Sequence, residues 1–157
     1  MKVYRAGPDV FRADVRAWAE AARALCRAAG HEALVPLDGG EAGAEGIYRN
    51  NLRLIDAADA VVANLNPFRG AEPDSGTCVE IGYALARGKL VVGYAEALPE
   101  LRTRLQARAD GQGAWRDAAG NAVEDFGLPF NLMLAVPARL VAGGLAAALA
   151  ALPGATP

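Results

Sequence analysis

Ala60-Val-Val-Ala-Asn-Leu65 runs on through Asn66-Pro-Phe-Arg-Gly-Ala-Glu-Pro-Asp74 into Ser75-Gly-Thr-Cys-Val-Glu80-Ile-Gly-Tyr83, and the fold turns on how this passage is read. Its first six residues carry no charge, the pattern of a parallel strand covered on both faces. A loop rich in glycine and proline follows, and Thr77 to Arg87 then reads as a helix of small residues. A strand that breaks into a loop and re-enters as a helix is where α/β folds place ligand sites. Asp74 and Glu80 stand six positions apart across the helix start. They either cap a helix or do chemistry.

Working toward the N-terminus, Ile47 to Ala57 has helical spacing through Ile47, Leu52 and Ile55, and Asp38 to Gly46 is a flexible loop with four glycines. Glu32 to Val35 suits a strand stopped by Pro36. From Asp14 to Ala29 the apolar positions Val15, Trp18, Ala22, Leu25, Cys26 and Ala29 recur every three or four residues, an amphipathic helix that Gly30 closes. Lys2 to Ala6 is a short strand ended by Gly7-Pro8. Working toward the C-terminus, Lys89 to Tyr94 is a buried strand and Leu98 to Ala109 a helix. Asp110 to Gly127 holds four glycines and little periodicity, the composition of a functional or flexible loop. Leu128 to Leu134 is an apolar turn or short helix, Ala138 to Val141 a fifth strand and Leu145 to Leu152 a last helix.

Strands that alternate with helices require parallel neighbours joined by crossovers. The expected fold is therefore α/β: a three-layer α/β/α, flavodoxin/Rossmann-like domain with a five-stranded parallel sheet. Residues 1–157 are expected as one domain. Hydrophobic residues make up 53% and charged ones 22%, which excludes a disordered chain. A net charge of −2 with no basic stripe argues against nucleic acid as a partner. The longest apolar run, Leu140 to Leu152, is too short for a membrane span of about 20 residues. The N-terminus lacks an apolar signal core, and Cys26 and Cys78 have no metal-ligand spacing, so a cytoplasmic protein with buried thiols is expected.

The inventory for chemistry is narrow. His31 is the single histidine and reads as a solvated turn residue after Gly30. No Walker loop and no G-x-G-x-x-G occurs, and no metal or cofactor is expected. Carboxylates, amides and hydroxyls remain. Thr77-Cys-Val-Glu80 matches a capping box, which would account for Glu80 without function. Asp74 lies ahead of that cap, and Gly76 would let a ligand approach closely. A helix N-terminus would hold a nearby carboxylate ionised, as a nucleophile requires. Paired carboxylates suit glycosidic chemistry, one attacking the anomeric carbon and one handling the leaving group's proton. Tyr4 is either a core aromatic or a residue that opens onto the same sheet edge. Asn50 and Asn51 are either exposed helix residues or part of the site; Asn131 would need partners if buried, and Met133 reads first as core.

The chain resembles the nucleoside 2-deoxyribosyltransferase family over nearly its whole length. The matching passages are Val3 to Phe11, Asn50 to Asp59, Ala63 to Tyr83 and Phe126 to Met133, the last two most like the protozoan-type branch. The resemblance implies that Glu80 is a nucleophile forming a covalent deoxyribosyl-enzyme, that Asp74 contacts the base and exchanges its proton, and that Tyr4 orients the nucleophile. It implies substrate contacts from Asn51, Gly7, Pro8, Phe11 and Gly76. It also implies that Asn131 and Met133 reach into a neighbouring subunit's site, hence a homo-oligomer, dimer or hexamer. Bacterial relatives carry an aspartate where this chain has Asn51, and end in a tyrosine whose carboxylate enters the site. That second role is here missing or filled from elsewhere, such as the 110–127 loop.

The implied partners are a 2′-deoxyribonucleoside and a free nucleobase. The alternatives are a hydrolase of deoxynucleoside 5′-monophosphates, a nucleotide phosphoribohydrolase suggested by Gly76-Thr-x-x-Glu80, and a nucleoside-binding module without turnover. Relatives that act on monophosphates carry serine at the Asp74 position. A carboxylate there repels a phosphate dianion, which favours nucleosides.

Overall fold

The computed structural model describes residues 1–40 and 42–154. In chain order the elements are β1 (Lys2–Ala6), a 3-10 turn (Pro8–Phe11), α1 (Val15–Ala28), β2 (Glu32–Leu34), α2 (Gly43–Ala57), β3 (Ala60–Asn64), α3 (Ser75–Ala86) and β4 (Leu90–Ala95). There follow α4 (Leu101–Arg104), β5 (Arg108–Ala109), β6 (Trp115–Arg116), β7 (Ala122–Val123), α5 (Leu132–Ala135), β8 (Arg139–Ala142) and α6 (Leu145–Ala150). The main sheet has the order β2-β1-β3-β4-β8 with every pair parallel. That is the expected five-stranded α/β sheet, and counting only its own strands the order is the flavodoxin-like 2-1-3-4-5.

Strand periodicity makes the layers. β1 turns Tyr4 and Ala6 to one face and Val3 and Arg5 to the other. On the first face Tyr4, Val61 and Val91 pack with Ile55 of α2 and Ile81 of α3. On the second, Val3, Val62 and Val92 pack with Cys26 of α1 and Leu149 of α6. Each fully buried Ile or Leu contributes about 1.5–3 kcal/mol relative to an exposed one. Gly93 in β4 is where a side chain would collide with Leu65 and Leu140, so the sheet closes on a missing Cβ.

Several expectations change. α2 begins at Gly43, inside the stretch expected as a loop. The helix expected from Leu98 to Ala109 is a single turn. Gln106 adopts a left-handed backbone (φ 53°) that ends it, and the chain re-emerges as β5. Most of the 110–127 stretch belongs to an antiparallel meander, β5-β6-β7, that starts at Arg108. Its two turns are built on aspartates: Asp110 Oδ1 accepts from Gln112 N and Ala114 N, and Asp117 Oδ1 from Ala119 N and Asn121 N. His31 is buried, not solvated, and both of its ring nitrogens lack a partner among the described residues. Burial lowers its pKa, and the N-terminal amine adds to that. Among the described residues no helix is long and apolar enough to cross a membrane.

Candidate active site

β1 and β3 are adjacent, yet the chain leaves β1 toward β2 and leaves β3 toward β4. The connections that leave their C-terminal ends therefore part and leave a crevice, the switch point of a parallel sheet. A pocket of about 450 Å³ opens there. The loop after β1 contributes Gly7, Val10 and Phe11, and the β2–α2 segment contributes Pro36, Leu37, Gly40, Ile47, Asn50 and Asn51. Asp74, Gly76, Thr77 and Glu80 form the wall made by the start of α3.

That helix start is not the capping box expected from Thr77 and Glu80. Asp74 is the N-cap: its Oδ2 accepts from Thr77 N at 2.9 Å and from Thr77 Oγ1 at 3.0 Å. An aspartate in extended conformation just before the first helical residue satisfies an orphan backbone donor. Asp74, not Thr77, is therefore the cap of α3. Both of its hydrogen bonds fall on one oxygen, and its carboxylate still lines the pocket.

Glu80, released from capping, lies in the second turn of α3. Its Oε1 accepts from Tyr4 Oη at 2.7 Å and from Asn51 Nδ2 at 3.1 Å. Three elements, β1, α2 and α3, thereby converge on one carboxylate. Burial pushes the Glu80 pKa above its ordinary value; the Tyr4 and Asn51 hydrogen bonds oppose the shift, and the Asp74 charge adds to it. Desolvation, rather than the helix terminus, sets the direction. Burial and the Glu80 carboxylate raise the Tyr4 phenol well above its usual range, so it stays a donor.

Asn51 turns its amide N–H₂ to Glu80, which leaves Oδ1 buried without a partner among the described residues. An orphaned acceptor in a pocket wall is a place for a ligand donor. Asn50 is buried rather than exposed. It donates to Asp38 O at 2.6 Å and accepts from Arg53 at 2.6 Å, pinning the loop that carries Leu37. Gly7 adopts a backbone only glycine tolerates (φ 152°, ψ 164°), and a Cβ there would stand 2.8 Å from Asn64 Cβ. This close approach, with Asn64 Nδ2 donating to Asp9 at 2.9 Å, sets the 3-10 turn and with it Phe11.

Of the residues singled out in the sequence, Glu80, Asp74, Asn51, Gly7, Phe11 and Gly76 meet in the pocket, with Tyr4 directly behind Glu80. Pro8 opens the 3-10 turn and is not part of the lining. Asn131 and Met133 lie on α5, outside the pocket. Asn131 is exposed and caps α5 by accepting from Met133 N, and Met133 is 76% exposed rather than core. The 110–127 stretch contributes nothing to the lining, and the chain end, residues 155–157, lies outside the described residues. The apolar wall of Val10, Leu37 and Ile47 went unseen. Its signal was an apolar residue on each side of the glycine-rich 38–46 segment, and Leu37 and Ile47 both remain exposed.

Fold and site together define a parallel α/β protein with a switch-point pocket, one half-buried carboxylate held by two donors and a second at its lip. The family model for nucleoside 2-deoxyribosyltransferases matches residues 3–133. The fold superposes on a 2-desoxiribosyltransferase from Leishmania mexicana with a TM-score of 0.79 and 37% identity, covering 93% of each chain. An uncharacterised protein of Schizosaccharomyces pombe is 34% identical over 83% of this chain and 74% of its own length. The chain belongs to the nucleoside 2-deoxyribosyltransferase family, which makes it an enzyme of the pentosyltransferase class.

Proposed function

We propose that the protein exchanges nucleobases on 2′-deoxyribonucleosides by double displacement. The observation that carries this is the convergence of Tyr4 Oη and Asn51 Nδ2 on Glu80 Oε1 in a pocket that also presents Asp74. Glu80 attacks C1′ as the glycosidic bond breaks, and the bond's electron pair leaves with the base. Asp74 supplies the proton that neutralises the departing base. A deoxyribosyl ester on Glu80 then waits for an incoming base, whose ring nitrogen attacks C1′ and gives its proton back to Asp74. Two inversions retain configuration.

Each remaining residue has a share in this. Raised by desolvation, the Glu80 carboxylate is a stronger nucleophile than a solvated one once ionised. Tyr4 and Asn51 fix its oxygen in place and absorb the charge that returns when the ester breaks. The orphaned Asn51 Oδ1 is positioned to accept from a sugar hydroxyl. Phe11, Leu37 and Ile47 give flat apolar area to base and sugar. The absence of a 2′-hydroxyl favours the oxocarbenium-like transition state, a chemical reason to use deoxy sugars. Asp74 at the lip disfavours a phosphate dianion. Asn131 and Met133, remote from their own chain's pocket, would serve a neighbour's in a homo-oligomer.

The test is base exchange: 2′-deoxyinosine with adenine, following 2′-deoxyadenosine against free sugar, in wild type and Glu80→Ala. Exchange is expected to vanish in the variant. Exchange as fast as wild type removes Glu80 from the reaction. A strong preference for deoxynucleoside 5′-monophosphates, or release of free sugar alone, would instead make the protein a hydrolase.

A further inference from the structure

The loop between β3 and α3 does more than deliver Asp74. Phe68 N donates to Glu72 O at 3.0 Å, closing a turn in which Arg69 adopts a left-handed backbone (φ 54°). A residue with a side chain is held there only when surrounding contacts require it. Those contacts are aromatic. Phe11, part of the Glu80 pocket, stacks on Phe68 with centroids 5.4 Å apart and planes 13° apart. The Arg69 guanidinium lies 5.0 Å from the Phe11 centroid and 4.7 Å from that of Phe68, bridging the pair. Such an aromatic seat orients the cation without consuming its N–H donors. Among the described residues Arg69 makes no ion pair and no side-chain hydrogen bond. Glu72, the nearby acid on the same turn, pairs with Arg104 at 3.6 Å.

A second hollow, of about 390 Å³, is lined by Phe68, Arg69, Glu72 and Asp74. Asp74 lines both this hollow and the Glu80 pocket, so the carboxylate proposed to handle the proton shares a hollow with a donor-rich cation. The charges of the hollow do not suit an anion, since Asp74 and Glu72 outnumber Arg69. They suit a neutral ring edge that takes a proton at one atom and accepts a hydrogen bond at the next. In a purine the ring nitrogen N7, which receives a proton as the base departs, lies next to the substituent on C6. An oxo group there accepts from Arg69 and gains electron density as the bond breaks. An amino group there sets donor against donor, because a guanidinium has no acceptor.

Resting on the base-exchange reading, we propose that Arg69 is a specificity-determining residue that selects 6-oxopurines over 6-aminopurines by donating to O6 while Asp74 serves N7. The experiment compares kcat/KM for 2′-deoxyinosine and 2′-deoxyadenosine in wild type and Arg69→Met, which keeps the stem on the two rings and removes the donors. Hypoxanthine and adenine binding is measured by calorimetry on the same two proteins. Wild type is expected to favour the oxo partner by about tenfold, the size of one charge-assisted hydrogen bond. Arg69→Met is expected to erase that preference, lowering the deoxyinosine value as the O6 donor is lost and raising the deoxyadenosine value as the donor clash is relieved. An equal loss on both nucleosides would reduce Arg69 to a brace for Phe11 and overturn the proposal. So would an unchanged preference. If wild type turns over neither nucleoside, the base-exchange reading fails, and hypoxanthine-against-adenine binding still decides what Arg69 reads.

Discussion

At the scale of single residues, Glu80 is where stability and function oppose each other. Its carboxyl titrates above the ordinary value of 4.5 in the folded chain, with burial the largest cause. Above that ordinary value the unfolded chain has lost the proton while the folded chain still holds it. Stability therefore falls as pH rises through the folded pKa, and the loss is complete once Glu80 is ionised. Glu80→Gln keeps the shape and both neighbours but carries no charge to desolvate. The variant is expected to be inactive and yet to melt higher than wild type near neutral pH. The gain should be about 2–4 °C for each kcal/mol relieved in a chain of this size. Melting curves at about pH 5 and pH 8 check the sign, since the advantage of Glu80→Gln must grow with pH. A variant that melts below wild type at both would mean that the Tyr4 and Asn51 hydrogen bonds outweigh the desolvation.

At the scale of elements, the start of α3 joins in Asp74 an observed cap and a proposed acid, and substitution can separate them. Asn caps a helix about as well as Asp, whereas Ala forfeits about 1 kcal/mol. Asp74→Asn should therefore unfold like wild type in urea, and Asp74→Ala should lose about 1 kcal/mol. Both should lose base exchange by about 100-fold, because neither can carry the proton. Matched stability losses in the two variants would deny the cap. Undiminished exchange in Asp74→Asn would deny the acid. The same segment explains what could be read beforehand. Two capping patterns overlap here, Asp74-x-x-Thr77 and Thr77-x-x-Glu80, and only packing against Tyr4 and Asn51 decides that Glu80 faces the pocket. The main strands were legible because β3 and β4 are unbroken apolar runs, and the family passages put Tyr4, Asp74 and Glu80 at one sheet edge. The meander was not, because strands of two residues have no period and are held instead by Asp110 and Asp117 side chains. Arg5 likewise sits fully buried in a strand, donating to Val62 O and Tyr94 Oη, a placement no hydropathy pattern announces.

At the scale of the whole molecule, one chain brings Glu80, its two donors and Asp74 to the pocket, but not Asn131 or Met133. Asn131 caps α5 and Met133 lies in it, α5 packs against α3, and Met133, the C-cap Val136 and Val79 of α3 are 76%, 70% and 62% exposed. In the proposed homo-oligomer these open apolar side chains would be the surface that a second copy covers. The meander braces the arrangement, since Glu124 accepts from Asn131 Nδ2 and from Leu132 N and so fixes the first turn of α5. If the neighbour's Asn131 completes the Glu80 pocket, two dead variants should rescue each other. Glu80→Gln and Asn131→Ala are each expected to be strongly impaired alone. Unfolded together and refolded as a mixture, a random dimer population has one intact site in every mixed dimer, so about a quarter of wild-type activity should return. Light scattering on the same samples confirms assembly. Recovery near that fraction places Asn131 across the interface. No recovery from a well-assembled mixture, or a protein that stays monomeric at all concentrations, assigns Asn131 to its own chain as a cap for α5 and nothing more.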